Sequence, residues 1–168
     1  GEGLAERETA LLLARTMARV EYLRDAEFTR PVSVRFVGRD RFKERLSEMS
    51  FGVPKNDQVY EAMFVYGEDE NPPEQLSGYL GEAVLGYAAE EGAENITIVT
   101  RDESVRAVDS GVLAHELVHV LQDQRFDLSQ ERYQRDTLDG EWAVDGLIEG
   151  EASYVDSQYA ERCAGQWS

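Results

Sequence analysis

The two histidines of the chain are His115 and His119, and Glu116 directly follows the first. Residues 115–119 read His-Glu-Leu-Val-His, a pattern in which one helical turn presents two imidazoles to a zinc ion and a carboxylate to the water beside it. A four-residue step on an α-helix rotates by about 400° and rises by about 6 Å, so both rings leave the same side of the cylinder. They can share one metal, with Glu116 placed as a general base.

A catalytic zinc takes three protein ligands and keeps a fourth position for water. The chain has no other histidine and one cysteine, Cys163, so a carboxylate is expected as the third ligand. The run Ile148-Glu149-Gly150-Glu151-Ala152-Ser153-Tyr154 offers two. On a helix Glu149 and Glu151 lie about 200° apart, so only one of them can face the ion. Asp123, one turn after His119, is placed to orient an imidazole from behind.

The elements that must hold these residues follow from hydrophobic periodicity and breakers. Residues 104–125 read as an amphipathic helix whose apolar stripe is Leu113, Leu117, Val120 and Leu121, with both histidines beside it. A polar stretch from Phe126 to Thr137 reads as a loop, and Leu138 to Arg162 as a second long helix capped near Asp139. Upstream, helical spacing runs from Leu4 to Phe28 and must stop before Pro31. Pro31 to Val37 alternates as a half-buried strand ended by Gly38, and Arg39 to Met49 is helical. Asn56 to Tyr66 is compatible with helix or strand, helix being slightly favoured, and Asn71-Pro72-Pro73 is a break. A hairpin is expected from Ala83–Ala89, a turn over Glu90–Asn95, and Ile96–Thr100. The sum is one α+β domain over residues 1–168, with helices and a small mixed sheet in 1–103 and two long metal-binding helices in 104–168.

The two metal-motif segments together resemble the gluzincins, zinc peptidases that carry HExxH on one helix and a glutamate ligand on the next. The likeness is strongest to their aminopeptidase-like branch, whose second motif reads Glu-Gly-x-Ala/Thr-x-Tyr. Here Glu149-Gly150 match the ligand and its glycine, Ala152 the small residue and Tyr154 the aromatic, while Asp156 falls where that branch is often acidic. The resemblance spans residues 96–159. It implies a zincin-like fold, Zn2+ bound by His115, His119 and Glu149 with Glu151 the alternative, Glu116 as base, and Asp123, Asp156 and Tyr154 supporting them. It also implies a strand before the motif that borders the substrate cleft, and a peptide or protein substrate. Gly146, Ala152 and Ser153 around Glu149 would let the two helices approach closely, whereas Glu151 has Leu147, Ile148, Tyr154 and Val155 as neighbours, an apolar stripe in which a charge is costly. Gluzincins take an oxyanion donor from residues after the third ligand, where this chain offers the phenols of Tyr154 and Tyr159 and no histidine.

Composition narrows the partners. With 34 acidic against 17 basic residues the net charge is -17, and the lysines are Lys43 and Lys55 alone. Such a surface repels nucleic-acid phosphates and anionic membranes. It is similar to that of acidic, lysine-poor proteins that work in molar salt, where the Debye length shrinks to about 3 Å. No apolar run of about 18 residues is present, so neither a membrane span nor an intact signal peptide is expected. An exported or cell-surface protein with its leader removed fits the Gly1-Glu2-Gly3 start, and so does a cytoplasmic protein of a high-salt organism. The alternatives to a peptidase are a non-catalytic gluzincin-like zinc domain that binds a protein partner, and a metal-free helical interaction module. Glu116 discriminates between the first two, because a closed structural zinc site has no use for a general base.

Overall fold

The computed structural model describes residues 2–48, 86–88, 95–100 and 110–163. The helix-or-strand segment Asn56–Tyr66, the Asn71-Pro72-Pro73 break and most of the expected hairpin turn lie outside the described residues. Within them the fold is α+β and mostly helical, in the order α1 (Glu2–Arg24), β1 (Ser33–Gly38), α2 (Arg39–Glu48), β2 (Gly86–Ala88), β3 (Asn95–Thr100), α3 (Ser110–Phe126) and α4 (Leu138–Cys163).

Helix α1 buries Thr16 and Val20, and packs Leu12, Leu13, Met17 and Leu23 against the core at the same three- and four-residue spacing. It stops well before Pro31. Asp25 adopts a left-handed φ of 49°, and the Ala26 amide returns to the Glu21 carbonyl at 3.2 Å, the hydrogen bond of a Schellman turn. The Phe28 amide donates to the Glu21 carboxylate at 3.0 Å and fixes the exit of the chain.

The sheet has the order β1-β3-β2, with β1 parallel and β2 antiparallel to β3. The antiparallel pairing of β2 with β3 is the one the hairpin pattern predicts. The face carrying Val34, Phe36, Ile96 and Ile98 packs into the main core. On the other face Val37 and Val99 are registered partners and both are buried, as is Phe42 of α2, a helix in contact with β1 and β3. Across the β1–β3 pair Arg35 donates to the Thr97 hydroxyl at 2.7 Å. β3 is thus the central strand of the described sheet. β1 pairs with it along Asn95–Thr100 and β2 along Ile96–Ile98.

Helices α3 and α4 pack on each other, and α1 packs on both. From α3, Leu113, Ala114, Leu117, Val118, Val120 and Leu121 enter the core, and α4 meets them with Ala152, Val155 and Tyr159. Between them the chain is irregular apart from a single 3-10 turn at Glu131–Tyr133. Thr137 caps α4, its hydroxyl accepting from the Gly140 amide at 3.2 Å, so the cap lies two residues before the expected Asp139. A Cβ at Gly140 would meet the Arg135 Cβ at 2.9 Å and the Thr137 hydroxyl at 3.0 Å, whereas one at Gly146 or Gly150 would enter open space. Close approach of α4 to α3 therefore falls to Ala152 and not to Gly146.

Two measurements follow from this packing and charge. Gly140→Ala should destabilise the fold, and Gly146→Ala should stabilise it by about 0.5–1 kcal/mol through helix propensity, as read by denaturant melts. The net charge of -17 should make the melting temperature rise from low to molar potassium chloride as counter-ions screen carboxylate repulsion. A melting temperature unmoved or lowered by salt would mark an ordinary acidic protein.

Candidate metal centre

His115 and His119 emerge one turn apart from α3, the helix that the core encloses most completely. Packing fixes their backbone. The two rings stand edge to face, with centroids 4.8 Å apart and planes at 80°. Their Nε2 atoms face each other at 3.1 Å. Glu149 completes the group from α4, with Oε2 3.3 Å from the His115 Nε2 and Oε1 3.4 Å from the His119 Nε2.

Helical phase explains why this glutamate is the one present. The stripe of α4 that faces α3 is Ala152, Val155 and Tyr159. Glu149 lies about 60° to one side of Ala152, and Glu151 about 100° to the other. Only Glu149 reaches the histidines. Glu151 goes to the opposite flank, where one carboxylate oxygen lies 2.5 Å from Nη2 of Arg24 and the other accepts from the Gln122 side chain at 2.7 Å. The apolar crowding expected around Glu151 does not occur, because Leu147 and Tyr154 are exposed.

Imidazole nitrogens and carboxylate oxygens that converge this closely repel unless a proton or a cation lies between them. The ligand atoms of His115, His119 and Glu149 all lie within 4.8 Å of one another, and they form the one such three-membered group among the described residues. Four zinc ligands at about 2.0–2.1 Å in tetrahedral geometry stand about 3.3–3.4 Å apart, close to the separations found here. The donor set, two imidazoles and a carboxylate, is also one that zinc accepts. Burial pushes the His119 imidazole below its ordinary 6.5, opposed by Glu149 and by the hydrogen bond to Gln122, while His115 acts in the same direction as burial. The neutral form, which is the ligating form, is thereby favoured at His119.

Glu116 follows His115 on α3 and is 7 % exposed. Its Cα lies about 60° round the helix from that of His119, on the flank of the imidazole face. The supporting residues fall out differently from expectation. Asp123 does not orient an imidazole. Its two oxygens accept from the Leu128 amide at 3.1 Å and from Arg30 at 3.3 Å, so it closes the end of α3 and ties it to the segment before β1. The residue bound to the His119 ring is Gln122, whose Oε1 lies 3.1 Å from Nδ1. Nothing in the local sequence singles out Gln122, because its other partners, Ile148 and Glu151, lie on α4.

Asp156 is half-buried on α4 and makes no hydrogen bond to either imidazole. Tyr154 is 66 % exposed and about 140° round the helix from Glu149. Tyr159 is buried, its hydroxyl accepting from Arg19 at 2.8 Å with the same guanidinium 5.5 Å from its ring. Its role is in packing, and neither phenol is directed at the histidine–glutamate group. No family model, characterised protein or solved structure matches the chain. The chemistry of the site therefore rests on its own geometry.

Zinc affinity should fall much further in Glu149→Gln than in Glu151→Gln, because only the first substitution removes a converging carboxylate oxygen. Competition with a chromogenic chelator measures both. The reverse ranking would move the third ligand to Glu151.

Proposed function

We propose that the chain is a zinc-dependent peptidase of gluzincin type, which hydrolyses peptide bonds with His115, His119 and Glu149 as metal ligands and Glu116 as general base. The observation that carries this reading is the convergence of two imidazole nitrogens and one carboxylate at 3.1–3.4 Å, from two helices that the core packs together. Zinc held by these groups would supply a Lewis acid for the scissile carbonyl and bring the pKa of water down to about 7.

The protein's own part is proton handling and access. Glu116 accepts a proton as the water oxygen attacks the carbonyl carbon, then delivers it to the amine nitrogen as the C–N bond breaks. Its burial supports that role, since a base shielded from bulk water holds its proton for the leaving group. Access is provided by the outer side of the site, where the Glu149 side chain remains 60 % exposed and the two imidazoles 25 % and 15 %.

A second reading, a non-catalytic gluzincin-like zinc domain that engages a protein partner, draws on the positions of Tyr154 and Tyr159. Oxyanion stabilisation beyond the metal contributes about 3–4 kcal/mol in acyl-transfer enzymes, and neither phenol is placed to provide it. Glu116 favours the peptidase over this domain.

Glu116→Gln should leave zinc binding and the melting temperature close to wild type and abolish cleavage of a quenched-fluorescent peptide library assayed in molar salt, because an amide cannot take up the water's proton. Full activity in that variant would remove the mechanism. A zinc-loaded wild type that cleaves nothing would favour the binding domain.

A further inference from the structure

Gln122 is 4 % exposed and makes three polar contacts, each with a defined direction. Its Oε1 faces the Nδ1 of His119 at 3.1 Å. Its Nε2 faces the Ile148 carbonyl oxygen at 3.0 Å and a carboxylate oxygen of Glu151 at 2.7 Å. Both groups on the nitrogen side are acceptors only. A rotated amide would set its oxygen against a carbonyl and a carboxylate in a buried place, losing two hydrogen bonds and gaining two repulsions. Helix α4 therefore fixes the orientation of this amide, independently of the histidine.

The consequence passes to His119. With an acceptor oxygen held against it, Nδ1 must carry the hydrogen. A neutral imidazole has one N–H, so Nε2 is left with its lone pair. That is the nitrogen directed at His115 and Glu149.

We infer that Gln122 is a positioning residue that locks His119 in the Nδ1–H tautomer and so prepares its Nε2 as a ligand. Glu151 holds the Gln122 amide from below and is itself held by Arg24, the last residue of α1. The chain Arg24–Glu151–Gln122–His119 thus runs from α1 through α4 to the imidazole face of α3. The two glutamates of the Glu-Gly-Glu run take complementary tasks, Glu149 at the ligand group and Glu151 behind the imidazole. The inference rests on the zinc reading for its purpose, while its test does not need the metal.

The test is the nitrogen-15 imidazole correlation spectrum of the metal-free protein, recorded at alkaline pH. With two histidines in the chain, the assignment is simple. Wild-type His119 should show a protonated Nδ1 and an unprotonated Nε2. In Gln122→Met, similar in size and without the amide, the hydrogen should redistribute to Nε2, and zinc affinity should drop about ten- to a hundred-fold. Glu151→Gln should keep the tautomer, since the Ile148 carbonyl still orients the amide.

A wild-type His119 protonated at Nε2 would overturn the inference whether or not the variant folds. So would an unchanged tautomer, or an unchanged zinc affinity, in Gln122→Met. A wild type with the Nδ1–H tautomer that takes up no zinc would instead defeat the peptidase reading and leave the role of Gln122 in setting the tautomer standing.

Discussion

Helix α3 is enclosed by α1, α4 and the sheet, and the packing of α4 along it through Ala152, Val155 and Tyr159 sets everything at the candidate site. The contact is close because Ala152 is the side chain at its centre and is fully buried. Interiors are packed to crystal-like density, so a shift of α4 by even one methylene's width would be felt along the whole stripe. The phase of α4 follows from that stripe, and the positions of Glu149 and Glu151 follow from the phase. No separate loop has to bring the carboxylate to the imidazoles. Two rigid elements do so as a by-product of burying apolar surface, which is the form of support a metal centre needs.

Helix α1 is the third member of this arrangement, and beside its apolar face it contributes two cations. Arg24 pairs with Glu151, and Arg19 lies against Tyr159. In a chain with a net charge of -17, two of its arginines are thus placed against the inner flank of α4 and not on the general surface. Glu151 is partly exposed, and Arg24 on one oxygen with Gln122 on the other holds its carboxylate in place. Arginine suits the place better than lysine, because a planar guanidinium can pair with a carboxylate or lie over a ring while its stem packs on apolar neighbours.

How much of this was legible in the sequence depends on whether the information was local. The His115–Glu116–His119 spacing is local, and so are the long helix periods and the alternation of β3, and each corresponds to an observed element. Glu149 was legible through helical phase once a second helix was assumed. The rest depends on partners remote in sequence. Asp123 looked like the support for an imidazole because it is one turn away, yet the position three residues on, Gln122, points between the helices. Its value as an amide is set by acceptors on α4. Glu151 looked like a charge in an apolar stripe because helix α1, which supplies Arg24, is more than a hundred residues upstream. Gly146 looked like a contact glycine by composition, and the phase of α4 turns it outward. The parallel pairing of β3 with β1 spans a long crossover that alternation does not reveal, so only the β2 partner is legible from the hairpin pattern.

The polarity of the site changes with depth in a way that bears on what it can do. Gln122 is innermost, the imidazoles and the Glu151–Arg24 pair are partly exposed to similar degrees, and Glu149 has most of its side chain in solvent. A purely structural zinc is normally closed by four protein ligands, and its outer side is covered. Here three protein donors form the group among the described residues, and the outermost of them is the most accessible. The rigidity is concentrated behind the histidines, where hydrogen bonds hold His119 from the side opposite Glu149. The direction of the His119 ring is thus set from the interior, while the outer side of the group is open at Glu149. On the peptidase reading we propose, such a division would let the centre keep its geometry through repeated turnover, since the buried stripe of α4 already ties the two helices together.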